Sequence, residues 1–180
     1  MSIAAAEALF EEIATGAAGE SELWAGALRP QAEREPVPVF SPLVADRRFA
    51  LGVETIYEGY LLHYGRARLF APGDEDIALL LGDSLLAHGL VRIASTGSVA
   101  AVADLAALLS LCAQARADGR DGDGAAWAAT SARLARGGLD EARAGLREGG
   151  DPALLERVAR ETAGDEAVDA ALVAHASRLR

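Results

Sequence analysis

Residues 54–94 read ETIYEGYLLHYGRARLFAPGDEDIALLLGDSLLAHGLVRIA, two helical patterns joined by a short charged loop. In the first, Phe49, Val53, Ile56, Tyr57, Tyr60 and Tyr64 recur at three- and four-residue spacing, which predicts a helix over about 43–64 with an apolar stripe. Arg47, Glu54 and Glu58 fall on another face. Pro72 and Gly73 break the pattern, and Asp74, Glu75 and Asp76 suit the first turn of a second helix, where negative charge complements the helix dipole. That second helix, about 76–95, is apolar nearly all round and is expected to lie centrally.

Working outward, Ser98 can cap a third apolar helix over about 99–117, and DGRDGDG forms a loop. Four weaker helical patterns follow over about 125–136, 139–148, 152–163 and 165–179, with Asp151-Pro152 as a clear start signal. Towards the N-terminus, residues 3–15 read as a short helix stopped near Gly16 and Gly19, and Ser21 caps a further turn. Four prolines in PQAEREPVPVFSP exclude a helix and predict an extended path, as a tether on the surface or a strap over the core rather than a partner-recognition motif. The expected organisation is an N-terminal helical segment (1–29), a Pro-rich strap (30–42) and a helical bundle (43–180), one domain overall and all-α.

Composition agrees. The chain has 180 residues, 51% of them hydrophobic and only 5% aromatic, a mixture that favours helices packed through small side chains over a β-sandwich. A net charge of −10 argues against a nucleic-acid binder or an anionic membrane surface. All 17 basic residues are arginine. Cys112, the lone cysteine, sits in an apolar run and is expected to behave as a small apolar side chain. The acidic start lacks the pattern of a signal peptide, and Asp104 and Ser110 interrupt the most apolar run, so no membrane span and a cytoplasmic location are expected.

Several polar residues are candidates for chemistry. Asp118, Asp121 and Asp123 do not make a calcium loop, because position twelve falls on Ala129 or Ala132. Glu58 and His63, like Asp83 and His88, are five residues apart, about 140° round a helix, so neither pair chelates a metal from one face. Glu54 and Glu58 are expected to pair with Arg47, Arg66 or Arg68. Asp83 shares a face with Leu79, Leu86, Ala87 and Leu90, where an ionised carboxylate needs partners. Ser84, His88 and Arg92 form a separate polar stripe. The ligand-binding candidates are therefore Glu54, Glu58, His63, Arg66, Arg68, Asp83 and His88, with no metal or cofactor expected.

The order Leu61-Leu62-His63-Tyr64-Gly65-Arg66-Ala67-Arg68, then Leu80-Leu81-Gly82-Asp83-Ser84-Leu85-Leu86-Ala87, resembles the two motif helices of the polyprenyl diphosphate synthases. The likeness covers about residues 40–117, and REGGDPALLERVAR is similar to that family's closing helices. It implies part of the isoprenoid synthase fold and association through helices. In that family, aspartates of two motifs hold magnesium against an allylic diphosphate. Here Tyr64 and Gly65 replace the first two, Arg68 stands near the last, and no second aspartate-rich motif follows. The resemblance thus implies a non-catalytic relative, a partner or regulatory subunit that forms a homo-oligomer or pairs with another helical protein. The alternatives are a binder of an isoprenoid or diphosphate, or a metal-independent enzyme, using a cavity lined by Tyr57, Tyr60, Asp83 and His88, and a homodimeric structural protein.

Overall fold

The computed structural model describes residues 3–179; residues 1, 2 and 180 lie outside it. Among the described residues there are nine α-helices and no strand: α1 (Ile3–Glu20), α2 (Glu22–Ala27), α3 (Ala50–Tyr64), α4 (Glu75–Ser95), α5 (Val99–Ala117), α6 (Asp123–Arg133), α7 (Asp140–Gly149), α8 (Ala153–Ala163) and α9 (Asp165–Ala176). The protein is all-α, as its composition predicts. The described chain divides into two compact units, one of residues 3–38, 51–92 and 178–179, the other of residues 39–50 and 93–177.

Local signals act largely where they are read. Ser21 Oγ accepts from the Leu23 N–H (3.1 Å) and Ser98 Oγ from the Ala101 N–H (3.2 Å). Asp74 and Asp151 do the same for Ile77 (2.8 Å) and Ala153 (2.9 Å), which satisfies amides that a helix start leaves without partners. Two boundaries differ from expectation. Helix α1 runs through Gly16 and Gly19 to Glu20. Gly16 stands against the Arg92 side chain, and a Cβ there would lie 3.0 Å from its Nη2. Residues 43–49 do not join α3. Asp46 accepts from the Arg48 N–H (3.0 Å), the chain turns through a short 3-10 segment Arg47–Phe49, and α3 begins at Ala50.

In the first unit α3 is buried at every residue from Gly52 to Leu62. It meets α4 through glycines seven residues apart on each helix, Gly52 and Gly59 against Gly89 and Gly82. A Cβ on Gly59 would come within 2.8 Å of the Gly82 carbonyl oxygen, and one on Gly89 within 2.9 Å of that of Gly52 while striking Ile56. Only the missing side chains allow this approach. Gly89→Leu is therefore expected to cost about 3 kcal/mol, read as a lower urea midpoint. Gly19→Ala, in open space, should instead gain up to about 1 kcal/mol. The Pro-rich segment makes a 3-10 turn at Gln31–Glu33 and then runs extended, with Glu35 N–H bonded to the Arg68 carbonyl (3.1 Å).

Helix α4 is not central. Leu81, Gly82, Leu85 and Gly89 are buried, but Leu79, Leu80 and Val91 are 42%, 57% and 67% exposed. The all-round apolar pattern does not mean all-round burial here, because close backbone packing against α3 uses only one narrow face.

In the second unit the buried helix is α6, whose residues from Asp123 to Ala132 are all buried. It is enclosed by α5, α8, α9 and a 3-10 turn at Ser41–Leu43. Alanine, glycine, serine and threonine let neighbours approach on every side, and Trp127 is the one large side chain among its buried residues. Trp127 lies flat on Phe40, with ring centroids 5.3 Å apart, and Phe40 meets His175 edge-on at 5.5 Å. Asp104 of α5 is also buried. Its carboxylate accepts from Arg143 (3.0 Å) and from the N–H of Ala135 (3.0 Å), whose left-handed backbone (φ 64°) it holds in place. In length and composition α4 and α5 each meet the requirement for a membrane span, although α5 reads as falling short of it in sequence. A packed core helix can have the same composition, and the one acid within α5 is met by Arg143 in its own unit.

Candidate functional site

The seven candidate residues fall in three places, all in the first unit. Glu54, Glu58 and Arg68 come together. Glu54 and Glu58 are one turn apart on α3, and Arg68 reaches them from the loop after it. Arg68 Nη1 donates to Glu54 Oε2 (2.5 Å) and Nε to Glu58 Oε2 (2.8 Å). Its remaining donors reach the carbonyls of Val37 (3.0 Å) and Glu54 (3.1 Å), and Leu69 N–H donates to Glu58 Oε1 (2.7 Å). The guanidinium lies over Phe10 and Tyr57, 4.6 and 5.0 Å from the ring centroids. Burial works against the charge, yet the two carboxylates hold the guanidinium above its ordinary range. Burial also pushes the Tyr57 phenol up. All three ionic side chains have no exposed area. The expected pairing with Arg68 is present, and it ties α3 to the loop and the Pro-rich segment rather than opening onto a ligand.

His63 and Arg66 line a groove of about 440 Å³ with Arg29, Phe70, Asp74 and Glu75. Arg66 bonds Glu35, which also takes Arg178 (2.9 Å). Burial raises the Glu35 carboxyl, but the two arginines outweigh it and hold it below the usual range. Two guanidiniums and two carboxylates give the groove a balanced lining. An anion as charged as a diphosphate meets repulsion from Asp74 and Glu75 as well as attraction.

Asp83 and His88 sit on the outside of α4, which corrects the reading of Asp83 as a carboxylate in a buried apolar setting. Its side chain is 72% exposed, because it lies outside the narrow buried face of Leu81, Gly82, Leu85 and Gly89 that packs on α3. His63 Nε2 lies 3.2 Å from Asp83 Oδ1 but out of line for a hydrogen bond. Gly82 makes room for that ring, since a Cβ would come within 2.6 Å of Nε2. His88 Nδ1 is 3.0 Å from Glu20 on the surface. The cavity expected between Asp83 and His88 is replaced by a nook of about 10 Å³ beside His88, lined by Ile13, Thr55 and Arg92 and not by Asp83. Tyr57 and Tyr60 are buried in the core. Among the described residues no cluster of three His, Cys, Asp or Glu side chains is placed to hold a metal ion. Cys112 is fully buried and its thiol is pushed well up by that burial and by the Asp123 charge, so it is inert.

The feature that sequence reading missed is the outer face of α4. Fold and surface together define an all-α protein with an exposed apolar helix face. No protein-family model matches the chain, and neither a curated protein nor a solved structure is significantly similar to it.

Proposed function

We propose that the protein is a non-catalytic helical subunit of the cytoplasm, acting as a partner or regulatory subunit that docks another helical chain on the outer face of α4. The observation that carries this reading is the exposure of Leu80 and Val91 outside the face of α4 that packs on α3, with Leu79 at its edge beside the groove. Leu79 and Leu80 are adjacent and Val91 lies about three turns further along the same helix; exposed apolar side chains along one helix face mark an interaction site where they join into a patch. The burial of Glu54, Glu58 and Arg68 and the absence of a cavity at Asp83 and His88 support it against a binding protein or an enzyme. The likeness of residues 61–68 and 80–87 to the motif helices of prenyl synthases points to a chain of that kind as the partner.

Native mass spectrometry of the protein from its own cytosol tests this. A complex with another helical chain is expected, and Leu80→Glu should weaken it at least about tenfold while changing stability by no more than about 0.5 kcal/mol. A protein that remains a monomer, or a complex indifferent to Leu80→Glu, overturns the proposal.

A further inference from the structure

We infer that the chain docked on α4 is an amphipathic helix that presents a basic side chain to Asp83, and not a second copy of this protein. The inference rests on the proposed docking role of α4. Asp76, Leu80, Asp83, Ala87 and Leu90 alternate at spacings of four and three, a 3.5-residue period that forms a straight seam for one partner helix. Leu79, Leu86 and Val91 widen it. Asp83 lies in the middle of this seam, so any helix seated there takes its carboxylate out of water. An ionised group desolvated without a counter-charge opposes binding, whereas a basic side chain at that layer turns it into an attraction.

The cations on and beside α4 are engaged elsewhere: in the groove at its first turns Arg66 bonds Glu35 and Arg29 donates to the Ala67 carbonyl (3.4 Å). Arg92, the one arginine of α4, turns to Thr55 (3.4 Å) and Glu12 (4.0 Å), and His88 faces Glu20 (3.0 Å). His63 stands beside Asp83 without an aligned bond, and it neutralises the carboxylate only when protonated. The α4 seam of a second copy brings no cation to the Asp83 layer either. Parallel pairing sets Asp83 against Asp83. Antiparallel pairing that matches Leu80 with Leu90 places each Asp83 opposite Ala87, with the two carboxylates about one helical turn, or ~6 Å, apart along the axis. Both copies also carry a net charge of −10. Self-pairing in either direction therefore concentrates like charge, and a basic helix relieves it.

The test uses the full chain and labelled helical peptides with a Leu/Ala seam that differ only in one central seam residue, arginine or glutamate. At low salt the arginine peptide is expected to bind at least about tenfold more tightly, with the preference shrinking as salt rises. Asp83→Arg, a change at an exposed position whose folding is checked by circular dichroism, should reverse the preference, and Leu80→Glu should abolish binding of both peptides. Equal binding of the two peptides, unchanged by Asp83→Arg but lost in Leu80→Glu, overturns the charge inference and leaves the docking role standing. A homodimer that Leu80→Glu splits shows a second copy to be the occupant and overturns it as well. Failure of both peptides to bind overturns it too, while the native complex then reports separately on the docking role.

Discussion

Replacing Arg68 by methionine is expected to destabilise the protein by about 3–5 kcal/mol, the range found when one partner of a buried ion pair is removed. The change leaves Glu54 and Glu58 facing each other without the guanidinium that now bonds both, at 2.5 and 2.8 Å. It also deprives the Val37 carbonyl of a donor and removes the cation from over Phe10 and Tyr57. Methionine fills much of the volume, so the loss reports charge and hydrogen bonding more than packing. Arg68→Lys should recover only part of it, because an ammonium is a point charge and cannot fork between two carboxylates and two carbonyls. The combination Arg68→Met, Glu54→Leu and Glu58→Gln should restore most of the stability. It removes the buried charges, while the amide oxygen introduced by Glu58→Gln still accepts from the Leu69 N–H. Urea unfolding followed by far-ultraviolet circular dichroism reads these differences as midpoint shifts at constant slope. A loss below about 1 kcal/mol in Arg68→Met means that the cluster does not hold the loop to α3.

The second large effect is expected at the centre of the other unit. Trp127→Ala should cost about 3–5 kcal/mol and lower the melting temperature by on the order of 10 °C. Trp127 is fully buried and stacked on Phe40 at an interplanar angle of 19°. Its neighbours along α6 are Ala125, Ala126, Ala128 and Ala129, all too small to swing into the space it would leave. The cavity persists, and its lining loses contacts as well as the transferred surface. Trp127→Phe retains an aromatic face against Phe40 and should lose clearly less. A Trp127→Ala protein that melts within about 2 °C of the parent means that α6 is not the core of its unit.

Much of the helical framework was legible in the chain. Ser21, Ser98 and the Asp151-Pro152 start act through local hydrogen bonds that a few adjacent residues determine. The pairing of Glu54 and Glu58 with an arginine was legible as well, because two carboxylates one turn apart on a mostly apolar helix need a cation. The sevenfold spacing of Gly52 with Gly59 and of Gly82 with Gly89 was a readable sign of close helix contact, and its meaning emerged only with the backbones side by side.

Burial was the quantity that sequence ranked wrongly. Helix α4, apolar all round, keeps Leu80 and Val91 in water, while α6, with its modest apolar character, is enclosed. Periodicity states which residues share a face, but not how many faces find a neighbour. Asp83 shows the same limit. Its apolar companions on α4 were correctly grouped, and whether that group faced the core or solvent depended on where α3 lay. Sequence by itself determined the helical class, the start caps at Ser21, Ser98 and Asp151, and the need of Glu54 and Glu58 for an arginine, all set by short-range geometry and charge, while the fold selected Arg68 from three candidates. Tertiary structure alone decided which helix is core and which is surface, because glycine-mediated contact narrowed the packed face of α4 and left its opposite face open.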